Sequence, residues 1–120
     1  MIDKEFLKKI EDETGYKPIF HDDYVLVITL DFNNIEMQFQ CLKHNAKFLK
    51  NIDMDKDIFV TVNFLEISDL TVEADDFCNS VACIISEFTF EKREEKYYIE
   101  INPSCGFYMK FNAKDYEIVK

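Results

Sequence analysis

Two short segments of the chain combine residue types that perform acid–base chemistry or bind metal ions. His21-Asp22-Asp23 places an imidazole beside two carboxylates, a combination used by general bases and by zinc sites. Nothing in the sequence spacing indicates that the second histidine, His44, lies close to His21 in the fold. A hydrolase also needs an activated nucleophile, and no serine has the flanking pattern of one: Ser68, Ser80, Ser86 and Ser104. The sequence therefore predicts no catalytic residue and no enzyme.

The second segment is Asp53-Met54-Asp55-Lys56-Asp57, in which acids alternate as at the start of a calcium-binding loop. Such a loop needs Gly at its sixth position and a bidentate Glu at its twelfth. Ile58 and Phe64 occupy those positions. We therefore interpret the alternating acids as solvent-exposed residues that precede a strand, and we predict no metal site.

Phosphate-binding loops are also missing from the sequence. The two glycines, Gly15 and Gly106, stand alone, whereas a nucleotide-binding loop needs several glycines at close spacing. No motif for a cofactor is present, and we predict none.

A longer feature is the segment from Asp57 to Glu91, which contains no Lys or Arg. Its carboxylates contribute −8 of the chain's net charge of −10: Asp57, Glu66, Asp69, Glu73, Asp75, Asp76, Glu87 and Glu91. Lys56 and Lys92 flank it on either side. A folded surface of one sign repels polyanions and attracts basic proteins. Solubilising charge on ordinary strand faces is the alternative explanation.

Charge and composition also restrict the partners. Nucleic acids and anionic membranes are bound by clustered Lys and Arg, whereas this chain has a net charge of −10 and one arginine, Arg93. The N-terminus has no apolar signal segment, and no run is long enough to span a bilayer. We therefore expect a cytoplasmic protein that binds neither nucleic acid nor membrane. Its cysteines should be reduced, with a disulfide between Cys78 and Cys83 as the less favoured alternative: Cys41, Cys78, Cys83 and Cys105.

The hydrophobic periodicity predicts one domain (1–120) with a helix in residues 1–15 packed on an antiparallel β region in residues 22–119. Asp3 caps the helix and Gly15 ends it. A β-hairpin follows, with its turn at Asn33-Asn34 and a first strand that is apolar on both faces and should be well covered.

Further alternating segments follow at 58–64, 70–74, 81–91, 97–101, 107–113 and 116–119, with a bulge or bend near Leu65. The fold class is therefore α+β and mainly β. We expect a meandering antiparallel sheet or sandwich of about seven or eight strands.

The C-terminal half follows a recognisable order of elements. Residues 64–70 (FLEISDL) read as a strand that bends into another, 76–80 (DFCNS) as a turn, and 97–101 (YYIEI) with 105–113 (CGFYMKFNA) as a closing hairpin. Over about residues 58–119 this pattern resembles the small cytoplasmic immunity proteins of bacterial polymorphic and contact-dependent toxin systems. The resemblance implies a protein that binds and blocks one cognate toxin. These families share no catalytic motif, so no functional residue is carried over.

Together these observations predict a non-enzymatic binding protein that docks an acidic surface on a basic partner, such as a nuclease-type toxin whose active site attracts phosphate. The expected contact residues form two groups: first Asp69, Glu73, Asp75 and Asp76, then Asp53, Asp55 and Asp57. The alternatives are a β-barrel or sandwich that carries a small apolar ligand, which would need a large internal cavity, and a subunit of a larger assembly.

Overall fold

The computed structural model describes residues 1–48, 55–74 and 83–119. In chain order they form α1 (Lys4–Thr14), β1 (Tyr24–Asp31), β2 (Asn34–Cys41), a 3₁₀ turn (Asn45–Phe48), β3 (Ile58–Ala74), β4 (Cys83–Arg93), β5 (Lys96–Cys105) and β6 (Phe107–Val119). No helix in these parts of the chain is long and apolar enough to cross a bilayer.

Helix α1 begins and ends as its sequence predicts. The Asp3 carboxylate accepts a hydrogen bond from the Phe6 backbone N–H at 3.0 Å, which satisfies one of the free donors of the first turn. Gly15 adopts the left-handed conformation (φ 75°) and donates its N–H to the Glu11 carbonyl. Phe6 and Ile10 are fully buried, so this face holds the helix on the sheet.

The β1–β2 hairpin is confirmed, but its turn lies one residue earlier than predicted. Asp31 pairs with Asn34, so Phe32 and Asn33 form the two-residue loop. Asn34 is drawn into the strand because its side-chain oxygen accepts a hydrogen bond from the Glu66 N–H of β3.

The prediction that β1 is well covered on both faces is wrong. Within the described residues, β4 pairs with β1 only at Tyr24 and Val25. β1 also has a register shift between Val25 and Val27, and Val27 and Leu30 are both more than half exposed.

Six strands are described, fewer than the seven or eight predicted. β3 continues through the expected bend, which consists of left-handed residues at Glu66 (φ 50°) and Asp69 (φ 55°) and a register shift between Ser68 and Thr71. Bulges of this kind bend a strand without ending it, so the separate strands at 58–64 and 70–74 are one element. β6 likewise runs on to Val119 without a break.

The strands close into a barrel in the order β1-β2-β3-β6-β5-β4, and every pairing is antiparallel. The ring closes through two register pairs between β1 and β4, Tyr24–Ile84 and Val25–Cys83. The prediction of a mainly β, antiparallel fold with an N-terminal helix is confirmed. The sheet is not a sandwich, however, and its strand order departs from a simple meander where β3 pairs with β6. Strand periodicity gives the alternation of faces but not the curvature, and closure depends on bends such as the one in β3.

Aromatic side chains fill the inside of the barrel. Phe6 of α1 enters one end and stacks on Phe90, with ring centroids 4.2 Å apart. The ring centroids of Phe20 and Phe39 lie 5.1 Å apart, and those of Phe64 and Phe111 also lie 5.1 Å apart. These rings occupy the volume in which an apolar ligand would lie, so the interior is a packed core and gives no support to the carrier hypothesis.

Candidate protein-binding surface

The outer surface of β2, β3 and β6 carries carboxylates in neighbouring positions. Glu36 of β2 pairs with Asn63 of β3, which pairs with Glu117 of β6. The Asn63 side-chain amide donates a hydrogen bond to the Glu117 carboxylate at 3.3 Å. The flanking residues on these strands point into the core, so this row of side chains faces solvent.

Two residues of the first predicted contact group lie further along the same sheet. Asp69 accepts a hydrogen bond from the Asn112 side chain at 3.0 Å. Glu73 pairs with Tyr108, whose hydroxyl donates a hydrogen bond to Glu100 of β5. This hydrogen bond raises the pKa of the Tyr108 hydroxyl well above its ordinary value, and the nearby charge of Glu73 adds to the effect.

We call the exposed carboxylates of these three adjacent strands the acidic face: Glu36, Glu66, Asp69, Glu73, Asp115 and Glu117. The same strands contain two basic residues, Lys110 and Lys114, so they carry a net charge of −4. Like charges placed along a rigid sheet produce a negative potential that attracts a basic protein from a distance.

The second predicted contact group lies at the other end of β3. Asp57 accepts hydrogen bonds from the Lys43 backbone N–H at 2.7 Å and from the Gln40 side chain at 2.8 Å. The bond from Lys43 lowers the pKa of Asp57. Asp57 thus ties the end of β2 to the start of β3, and Asp55 beside it is exposed.

The two groups are therefore separated along the chain. Eleven residues, 58–68, lie between Asp57 and Asp69, which corresponds to at most about 40 Å along the strand. The remaining predicted contacts lie outside the described residues: Asp53, Asp75 and Asp76.

The structure divides the His21-Asp22-Asp23 segment into exposed and buried parts. The side chains of His21 and Asp22 are both more than half exposed, with His21 Nε2 at 3.4 Å from the Asp22 carboxylate. The other ring nitrogen of His21 lies 2.7 Å from the Ser86 carbonyl. A shallow cavity of about 260 Å³ borders this pair and is also lined by Ile19 and Asn45.

Asp23, in contrast, is 1% exposed. Its Oδ1 accepts hydrogen bonds from the Leu42 backbone N–H at 2.9 Å and from the Asn45 side chain at 2.8 Å. Burial raises the pKa of Asp23, although these two hydrogen bonds oppose the shift. Asp23 thus fixes the chain after β2 to the entry of β1, a structural role that the tripeptide did not reveal.

The described parts of the chain contain no group of three or more His, Cys, Asp or Glu side chains arranged to hold a metal ion. The cysteines are of two kinds. Cys41 and Cys83 are free and fully buried, whereas Cys105 is disulfide-bonded. The prediction that all thiols are reduced is therefore wrong for Cys105. Sequence spacing could not show this, because bridging depends on the distance between two cysteines in the folded chain.

Sequence reasoning did not name four members of the acidic face as contact residues: Glu36, Glu66, Asp115 and Glu117. Glu66 lies inside the charge-biased segment from Asp57 to Glu91, whereas the other three lie outside it. The alternation of Glu36 with buried residues of β2 predicted that it faces solvent. The sequence pattern does not show which strands lie beside each other, because that depends on the strand order of the barrel.

Comparison of the chain with protein-family models, with curated proteins and with solved structures found no match.

Proposed function

We propose that this chain is a non-enzymatic binding protein that neutralises a basic protein toxin. The observation that supports the proposal is the acidic face, where six exposed carboxylates and two lysines share three adjacent strands. A nuclease-type toxin fits this surface best, because its active site is shaped to attract phosphate. A row of carboxylates can occupy such a site in place of the nucleic acid backbone.

The physical argument concerns both rate and affinity. Long-range attraction between a basic cleft and the acidic face increases the rate of encounter, and the effect declines as salt screens the charges. The strands bearing the face also contribute buried side chains to the packed core, which keeps the carboxylates in place before binding. A pre-formed surface requires little ordering when the complex forms.

The proposal is tested first in cells. The gene beside the one for this chain is expressed alone and together with it in a bacterial host. We expect the neighbouring product to stop growth and the chain to restore it. A neighbouring product that is harmless, or that remains toxic in the presence of the chain, contradicts the proposal.

The acidic face is tested with the purified pair. Asp69→Lys/Glu73→Lys is compared with Glu11→Lys/Glu95→Lys, which changes the net charge equally at exposed sites outside the acidic face. We expect the first variant to lower the association rate by about tenfold at low salt and to weaken its salt dependence. The second variant should retain most of the rate. Equal effects of the two variants would show that only net charge matters.

A further inference from the structure

The tip of the β1–β2 hairpin exposes an aromatic ring. Phe32 is 94% exposed, more than any other large hydrophobic side chain that the structure describes. Leu30, two residues earlier, is 58% exposed. Exposed Phe has no role in the core, so the fold does not account for the residue type at position 32.

The backbone conformation of residue 32 is also unfavourable for phenylalanine. Phe32 has φ 54°, in the left-handed region, and it is the first residue of a two-residue hairpin loop. Gly and Asn adopt this conformation readily, whereas a bulky side chain is strained in it. Strain of this kind persists where the surrounding structure imposes it, and it concentrates at functional sites.

Two hydrogen bonds hold the tip against β3. The Ile67 backbone N–H donates to the Asn33 carbonyl at 2.7 Å, and the Glu66 N–H donates to the Asn34 side-chain oxygen at 3.1 Å. These bonds tie the second half of the hairpin loop to β3. An exposed aromatic ring on a fixed loop loses little conformational entropy when a partner buries it.

The surroundings of the tip determine which partner fits. Asp31 precedes Phe32, and Glu36 and Glu66 lie close by on β2 and β3. The hairpin from Tyr24 to Cys41 contains no Lys or Arg. A second copy of this chain would bring like charges together at the tip, and an anionic membrane would repel it. A basic protein with an apolar pocket is the complementary partner.

We propose that Phe32 inserts into an apolar pocket at the edge of the basic site of the toxin and anchors the complex. This inference rests on the proposed function and adds to it the residue that supplies most of the affinity. Interfaces commonly depend on a few aromatic anchors, surrounded by polar contacts that exclude water. The acidic face would then control association, while Phe32 would control dissociation.

The first experiment replaces Phe32 with the photo-crosslinking amino acid benzoylphenylalanine and irradiates the chain with the toxic product of the neighbouring gene. The same replacement at Phe59, an exposed aromatic at the far end of β3, is the matched control, and replacement at Asp69 reports on the acidic face. We expect crosslinks from positions 32 and 69, and few from position 59. Crosslinking at 69 without 32, or crosslinking of position 32 to a second copy of the chain, overturns the proposal.

The second experiment measures dissociation for Phe32→Gly and Phe59→Ala. Glycine suits the left-handed backbone, so Phe32→Gly should unfold at a temperature no lower than the parent. We expect its dissociation rate to rise about 30-fold or more with little change in association, and Phe59→Ala to have little effect. An unchanged dissociation rate in Phe32→Gly overturns the proposal.

The two experiments separate this inference from the proposed function. A toxin whose binding depends on Asp69 and Glu73 but not on Phe32 leaves the acidic face as the binding surface and removes the anchor. Binding that depends on Phe32 but not on those carboxylates supports the anchor and removes the electrostatic basis of the proposed function. A neighbouring product that does not bind the chain overturns both.

Discussion

Phe6 of helix α1 stacks on Phe90 of β4, with ring centroids 4.2 Å apart and planes 10° apart. Both side chains are fully buried, and Phe6 also contacts Phe20 and Tyr116. Together with Ile10, Phe6 packs the helix against the core of the barrel. The stack connects the first turn of the chain to a strand more than eighty residues away.

Truncation of Phe6 should therefore destabilise the whole domain. We expect Phe6→Ala to lower the free energy of unfolding by about 3–5 kcal/mol, because a buried ring is lost and the site cannot collapse around the cavity. Phe59→Ala, at a half-exposed ring on β3, should change it by less than about 1 kcal/mol. Urea denaturation followed by circular dichroism measures both values. Similar losses in the two variants would contradict the assignment of Phe6 to the core.

Asp23 should make the stability depend on pH. Its pKa is raised above its ordinary value of 3.8 by burial, so the folded state holds this proton more tightly than the unfolded state. The stabilisation that results is complete below the unfolded pKa and is lost as the pH rises through the folded pKa. We expect the stability of the parent relative to Asp23→Asn to fall as the pH increases from about 4 towards neutrality. Urea titrations of both proteins at several pH values measure this difference in the free energy of unfolding. A difference that does not change with pH would contradict the raised pKa of Asp23.

Removal of the Asp23 carboxylate should also be costly. Asp23→Ala leaves the Leu42 N–H and the Asn45 amide without their acceptor. We expect a loss of about 2–4 kcal/mol, since each buried unsatisfied donor costs about 1–3 kcal/mol. Asp22→Ala, at the exposed neighbour, is the control and should be nearly neutral. Equal stability of the two variants in urea would argue against the structural role of Asp23.

The two glycines should differ in their tolerance of alanine. Both have positive φ, but a Cβ on Gly106 would lie 2.8 Å from the Cys83 backbone, whereas one on Gly15 would meet nothing within 4 Å. We expect Gly15→Ala to cost about 1–2 kcal/mol from backbone strain alone. Gly106→Ala should cost more, because the β4 backbone must also move. Thermal unfolding ranks the two variants, and the opposite order would show that the close contact with Cys83 is absent.

The free thiols should be unreactive in the native protein. Burial raises the pKa of Cys41 far above its ordinary value, with a further contribution from the Asp23 charge, and burial also raises that of Cys83. Only the thiolate reacts with alkylating reagents. We expect iodoacetamide to modify Cys41 and Cys83 only when the protein is unfolded, as detected by peptide mass spectrometry. Rapid labelling of either residue in the folded protein would contradict its burial.

Local features of the fold were predictable because their physics is local. The cap at Asp3, the stop at Gly15 and the alternation in β2 each depend on residues within a few positions of one another. The length of β3 was not predictable in the same way. A bulge at Glu66 and Asp69 changes the phase of the pattern much as a strand end does, and only pairing with β6 shows that the strand continues.

The candidate site was only partly predictable for a related reason. The charge bias of the segment around Asp69 and Glu73 is visible in the sequence, but Glu117 joins them only because β6 lies beside β3. The turn position of Phe32 was missed because Asn34, a better turn former, is used for a hydrogen bond to Glu66. The local sequence pattern does not show when a tertiary contact outweighs the preference of a residue for a turn.

By itself, the sequence determined a mainly β chain with one capped helix, a core rich in phenylalanine and a strongly acidic character. These properties follow from composition and from periods of two and 3.6 residues, which each short segment carries independently. The tertiary structure decided the barrel order, the fully buried state of Asp23, the gathering of carboxylates from three strands into the acidic face and the exposure of Phe32. All four depend on which distant segments meet, and this is settled by the packing of the whole core rather than by any segment alone.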